Sequence, residues 1–83
     1  MYGIVFAKQA KKDLDRLPES QKKKVRDLAL NVLRENPHSG KKLIGDLKGY
    51  FSLRINIRDR LVYRIDEEEQ KVIVLMCKTH YER

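Results

Sequence analysis

Residues 50–65 read YFSLRINIRDRLVYRI, and their pattern decides the fold. Phe51, Leu53, Ile55 and Ile57 alternate with Tyr50, Ser52, Arg54 and Asn56, the period of two that a half-buried strand requires. Arg60 to Ile65 forms a second strand, so the two make a hairpin whose turn is centred near Ile57. Val72 to Cys77 is a third run, apolar on both faces, which predicts an interior place in the sheet. The intervening Asp66-Glu67-Glu68-Glu69 reads as a solvated hairpin turn.

Upstream of this hairpin the period changes. Tyr2 to Phe6 is a short β-prone run that fits a first strand. Ala10, Leu14 and Leu17 then line one face of a helix, with Lys and Asp residues on the other. Pro18 suits a helix–helix turn better than a helix interior, and Ser20 is positioned to cap a second helix. Val25, Leu28, Ala29, Val32 and Leu33 recur at steps of three and four, one continuous apolar stripe. Asn36-Pro37 ends it, and His38 to Lys42 reads as a loop. The order β-α-α-β-β-β predicts an α+β domain, with two N-terminal helices packed on one face of a mainly antiparallel four-stranded sheet. No linker, repeat or low-complexity tract divides residues 1–83, so a single domain is expected.

Composition narrows the function. The 83 residues carry 19 Lys or Arg against 12 Asp or Glu, for a net charge of +7 and a pI near 9.7. Apolar residues make up 41%, enough for one compact core in a chain that buries only about 60% of its unfolded surface. One cysteine, Cys77, cannot form an internal disulfide, and a reducing compartment is the default. Two histidines and one cysteine far apart are a poor metal set. No apolar run approaches the ~20 residues of a membrane span, and the basic start MYGIVFAKQAKK does not read as a secretory signal. A cytoplasmic domain with a polyanionic partner is expected. Residues 1–65 hold 16 basic and 7 acidic side chains, a net of +9, and residues 66–83 a net of −2. Lys22-Lys23-Lys24 point in three directions around a helix and serve solubility rather than one ligand.

A symmetric hairpin about Ile57 sets Arg54 opposite Arg60 on one face. Like charges directly across a ladder destabilise it, whereas two guanidinium groups are well shaped to hold a phosphate through parallel hydrogen bonds. Either an anion lies between them, or one pairs with Asp46, Asp59 or an acidic tail residue and the other is exposed. His80 titrates near neutral pH and is able to give or take a proton, and Tyr81 offers a ring for stacking or a hydroxyl for hydrogen bonding. The other reading of a histidine near a terminus is an ordinary surface residue, and His38 in its loop reads that way too.

The segments Leu47-Lys48-Gly49-Tyr50-Phe51-Ser52-Leu53-Arg54-Ile55, Arg60-Leu61-Val62-Tyr63 and Cys77-Lys78-Thr79-His80-Tyr81 resemble the RelE/ParE toxin superfamily, and within it the YoeB/Txe branch. The similarity covers the chain's length and element order, and the strands and tail carry its specificity. The resemblance implies a toxin of a prokaryotic type II toxin–antitoxin pair that cuts mRNA in the ribosomal A site without a metal or other cofactor. It implies that Arg54 and Arg60 hold the scissile phosphate, that His80 protonates the leaving oxygen, and that Tyr81 orients the RNA. Lys41, Lys42, Lys48, Arg58 and Lys78 are the expected RNA-binding cations. Partners implied are the cognate antitoxin, with an acidic segment over Arg54 and Arg60, the ribosome and its mRNA, either as a homodimer or as a hetero-oligomer with the antitoxin.

One departure stands out. The YoeB branch carries a glutamate, its general base, where an ungapped alignment puts Lys41. Lysine serves as a base only where crowding by cations depresses its pKa, and other branches do place lysines near the phosphate, so Lys41, Lys42 and Lys48 are all candidates; Asp46 aligns only with a small gap, and the base is unassigned. Two other functions fit the same resemblance. One is a ParE-like inhibitor of DNA gyrase without nuclease chemistry, against which the terminal His80-Tyr81 counts. The other is a weakened toxin kept as an antitoxin-binding module.

Overall fold

Because Val25, Ala29 and Leu33 share one side of a helix, and Phe51, Leu61 and Tyr63 one side of a hairpin, the two surfaces close on each other. The computed structural model describes residues 1–77. Its elements are β1 (Gly3–Phe6), α1 (Lys8–Asp15), α2 (Glu19–Leu28), β2 (Lys41–Lys42), β3 (Phe51–Arg54), β4 (Arg60–Asp66) and β5 (Lys71–Met76). Past Leu28 the second helix widens into a π-helical segment, Ala29–Leu33, where the Arg34 N–H donates to the Ala29 carbonyl at 3.1 Å. The helix starts one residue before the expected Ser20 cap: Pro18 occupies the cap position, extended at φ −61° and ψ 157°, with no side-chain cap. Its carbonyl accepts from the N–H groups of Gln21 and Lys22, so the proline ring fixes the entry instead.

The sheet runs β1-β5-β4-β3-β2, with β1 parallel to β5 and the other pairings antiparallel. The α+β architecture agrees with the periodicity, and β5 does lie inside the sheet. Five strands are present where four were expected, because β2 is two residues long and shows no period. It pairs Lys41 with Ser52 and Lys42 with Phe51, turning part of the expected loop into an edge. The hairpin register is Phe51↔Tyr63, Ser52↔Val62, Leu53↔Leu61 and Arg54↔Arg60. The strand stops at Arg54, however, so the alternation ends before Ile57, which is 85% exposed in the turn rather than directed at the core.

Both helices pack on one face of the sheet. Ala10, Val25, Ala29 and Leu33 meet Phe51, Ile55, Leu61, Tyr63, Val72 and Val74 there. Each large side chain removed from water, Leu33 for example, contributes roughly 1.5–3 kcal/mol before chain entropy is counted. Between Val62 and Tyr63 the pairing with β5 shifts from Met76 to Val74. The unmatched Leu75 makes a bulge, which increases local twist where β5 ends.

Two polar contacts inside this frame were not legible as such. Asp13, expected on the solvated side of the first helix, is buried; its carboxylate accepts from Gln9 Nε2 at 2.9 Å and from the Cys77 N–H at 3.1 Å. The first helix is thereby tied to the residue at which β5 ends. Burial, and secondarily the Asp13 charge, push the Cys77 thiol up to about 12, leaving it un-ionised and unreactive at neutral pH. Tyr63 stacks on Phe51 at 5.5 Å and donates to the Pro37 carbonyl at 2.6 Å, and burial pushes its hydroxyl up to about 12.

Gly40 passes directly over that hydroxyl. A methyl group there would run into Tyr63 Oη and come within 2.9 Å of the Ser52 carbonyl oxygen. Gly40→Ala is therefore expected to lower the unfolding free energy by about 1–3 kcal/mol, the usual scale for overpacking, read from the denaturant midpoint. The same substitution in a Tyr63→Phe background should cost less, since the clashing oxygen is gone. Equal costs in the two backgrounds would contradict this packing.

Candidate functional site

Arg54 and Arg60 are fixed by the turn between them. Asn56 Oδ1 accepts from the N–H groups of Arg58 and Asp59, each at 2.7 Å, an Asx turn that replaces the missing ladder bonds. The N–H groups of Ile55 and Asn56 both donate to the Asp59 carbonyl, at 2.8 and 3.2 Å. Asn56 Nδ2 reaches Gln21 Oε1 on α2 at 2.7 Å and Asp59 Oδ2 at 3.1 Å, so the turn is anchored to the helical layer. The Asp59 carboxylate is thus engaged by the turn. Sequence reading places Asn56 in the strand alternation, whereas the structure makes it the organiser of the turn.

With the register held, Arg54 and Arg60 stand directly opposite on the face away from the helices, Arg54 exposed and Arg60 half-buried. Opposed residues of this kind lie about 5 Å apart at Cα. The hydrogen bond of Arg54 among the described residues runs from Nη1 to the Ile57 carbonyl, at the long limit of 3.5 Å. Two guanidinium groups carried by directly opposed residues repel each other and are able to offer N–H donors to one anion.

The other candidates divide. Lys41 pairs with Ser52, two residues before Arg54 on the same face, and adds a cation beside the pair. Lys42 and Lys48 instead line a cavity of about 670 Å³ formed with Ile44, Gly45, Tyr50 and Phe51, where Gly45 and Gly49 take positive φ of 67° and 97°. Arg58 is exposed in the hairpin turn. Lys78, His80 and Tyr81 lie outside the described residues. Arg64 was not among the expected cations, yet it shares the alternation of Arg60 and faces the same way, opposite Ile73; the step of two from Arg60 was its signal.

The acidic turn is exposed, as expected, and one of its carboxylates also makes contacts. Glu67 accepts from the Tyr2 hydroxyl at 3.0 Å and from His38 Nε2 at 2.8 Å. That hydrogen bond raises the Tyr2 pKa above its ordinary value. His38 also meets the rings of Tyr2 and Phe51 edge-on, at 6.4 and 6.0 Å, so it ties the acidic turn to Tyr2 and to the core. Among the described residues no group of three or more His, Cys, Asp or Glu is placed to hold a metal, and no helix is long and apolar enough to cross a membrane.

Comparison with known proteins supplies the family. Residues 4–82 match the family described as ParE-like toxin of type II bacterial toxin–antitoxin system. Toxin RelG of Mycobacterium tuberculosis is 37% identical over 75 residues, covering 89% of this chain and 85% of that toxin. The structure of the RelBE2 toxin–antitoxin complex from the same organism superposes with a TM-score of 0.85 at 34% identity, over 98% of this chain and 93% of the other. The YoeB–YefM complex from Staphylococcus aureus gives 0.78 at 31% identity, over 98% and 99%.

If Asn56 holds the turn, Asn56→Ala should expose two orphaned N–H groups. Hydrogen exchange at Arg58 and Asp59 is expected to accelerate by an order of magnitude or more, with a loss of about 1 kcal/mol in stability. Amides within the β4–β5 ladder should change little. Unaltered exchange at 58 and 59 would remove Asn56 from this role.

Proposed function

Because the chain belongs to the ParE-like toxin family of type II bacterial toxin–antitoxin systems, we propose that it is a ribosome-dependent mRNA endoribonuclease that stops translation in the prokaryotic cytoplasm. The observation that carries this reading is the Arg54–Arg60 pair, set face to face on the side of the sheet that the helices leave uncovered. Such a pair is well suited to an anion that gains charge during reaction.

The reaction is an in-line transesterification. The 2′-hydroxyl attacks the adjacent phosphorus as its proton departs, and the bond to the 5′-oxygen breaks, leaving a 2′,3′-cyclic phosphate and a 5′-hydroxyl. Arg54 and Arg60 bind the non-bridging oxygens, whose negative charge is greatest when phosphorus is five-coordinate, so they hold the transition state more tightly than the substrate. His80 delivers the proton to the leaving 5′-oxygen and Tyr81 orients the RNA. No metal takes part in this scheme. Lys41, on the arginine face, is the first lysine to test for the base role, ahead of Lys42 and Lys48, which line a separate cavity. The ribosome orders the mRNA strand, which so small a site has few groups to align.

The proposed partner in the resting state is an antitoxin whose acidic segment covers the arginine pair, by charge complementarity. The structures of RelBE2 and of YoeB with YefM, both toxin–antitoxin complexes, support a partner of that class.

Primer extension on cellular mRNA after induced expression tests the activity. Codon-dependent cuts are expected from the wild-type chain, and Arg54→Ala and Arg60→Ala should each lose single-turnover cleavage on programmed ribosomes by about 10²–10³, the scale of one charge-stabilising donor. Cleavage at the wild-type rate in either variant would overturn its role. Intact mRNA with DNA damage would assign gyrase inhibition instead, and absence of toxicity an antitoxin-binding scaffold.

A further inference from the structure

We propose that Arg64 extends the arginine pair into a phosphate-binding row, taking a second phosphodiester of single-stranded RNA beyond the one held by Arg54 and Arg60. The inference rests on the endoribonuclease reading and adds a binding residue to the same face.

The row follows from β4. Strand alternation sends Leu61, Tyr63 and Ile65 to the helix-covered core and Arg60, Val62 and Arg64 to the opposite face. Arg60 and Arg64 are four residues apart, about 13 Å along the strand, a span that a few nucleotides of an extended strand cover. Val62 between them is buried, as is its cross-strand partner Ser52, at 1% and 4% exposure, so both arginines are carried by the packed sheet rather than by a loop.

Arg64 is exposed and makes no hydrogen bond or ion pair among the described residues. Its partner across the ladder is Ile73, which offers no counter-charge. The nearest carboxylate on its own strand face is Asp66, whose Oδ1 accepts from the Glu69 N–H and whose cross-strand neighbour is Lys71. The positive row therefore begins at the hairpin turn and ends at Arg64. A guanidinium group suits this place better than an ammonium would, because it grips phosphate through two donors and stacks on a base.

An acidic protein segment would also satisfy a lone cation. RNA is favoured because Arg64 lies on the same strand and face as Arg60, and a strand that is cut in its interior must continue past the scissile position on both sides.

The test is the salt dependence of binding to ribosomes programmed with an mRNA carrying a 2′-deoxy nucleotide at the cut site, so that binding is read without cleavage. Wild-type chain, Arg64→Ala, Arg64→Lys and the exposed helical control Lys23→Ala are compared. Removal of one phosphate contact should reduce the slope of log K against log salt by about 0.7, with Arg64→Lys near wild type and Lys23→Ala unchanged. The same titration on ribosomes without mRNA separates the sources: a smaller slope only with mRNA supports the row, and a smaller slope on both overturns it in favour of a ribosomal RNA contact. An unchanged slope in Arg64→Ala overturns the row while leaving the cleavage reading intact. Weakened binding to an antitoxin alone, with ribosome binding unaltered, also overturns it. A wild-type chain that neither binds nor cuts overturns the functional reading and the row together. Melting curves of Arg64→Ala matching wild type keep a folding defect from imitating the loss.

Discussion

Two like charges held across an antiparallel ladder are the constraint around which this molecule is organised. Arg54 and Arg60 repel each other in the register that the structure gives them, and an unsupported two-stranded hairpin would relieve the repulsion by fraying or slipping. The structure prevents this from two sides. Beneath the pair, Leu53 and Leu61 are matched on the core face, and a slip of one residue would bring the arginines into the hydrophobic layer. At the open end, Asn56 closes the turn and Gln21 ties it to the second helix. The packing of sheet and helices is thus applied to holding two like charges in register.

The remaining polar contacts fix what lies beside that pair. Tyr63 stacks on Phe51, donates to the Pro37 carbonyl and forces the chain at Gly40 to pass without a side chain. That close passage delivers Lys41 and Lys42 to the edge of the sheet as β2. At the far side Asp13 accepts from the Cys77 N–H, so the point where β5 ends is set by the first helix. Three segments distant in sequence are thereby tied to one sheet.

Much of this was legible from the amino acids. The alternation of residues 50–55 and 60–65 placed the hairpin and its register, and the stripe from Val25 to Leu33 placed the helix that covers it. The motifs of the strands and tail pointed to the family. What escaped detection had no periodic signature. A two-residue strand has no period to read, and Asp13 looks like any helical surface carboxylate until Cys77, 64 residues away, supplies its N–H. Ile57 continues an alternation that the Asn56 turn cuts short, and the signal of Arg64 is a charge repeated along a strand rather than one opposed across the turn. The Arg54–Arg60 pairing needed only a turn centre to be foreseen, whereas which lysines accompany it depended on β2.

The central claim is that the arginine pair binds non-bridging oxygens of the scissile phosphate most strongly as charge builds on them. Substituting one such oxygen by sulfur on the mRNA and comparing single-turnover cleavage on programmed ribosomes addresses those contacts directly. The account predicts that sulfur slows the wild-type chain by about an order of magnitude or more, the scale of a weakened charge-assisted hydrogen bond, and slows Arg54→Ala or Arg60→Ala markedly less, because the contact it disturbs is already gone. An equal sulfur effect in wild type and both variants would contradict the account.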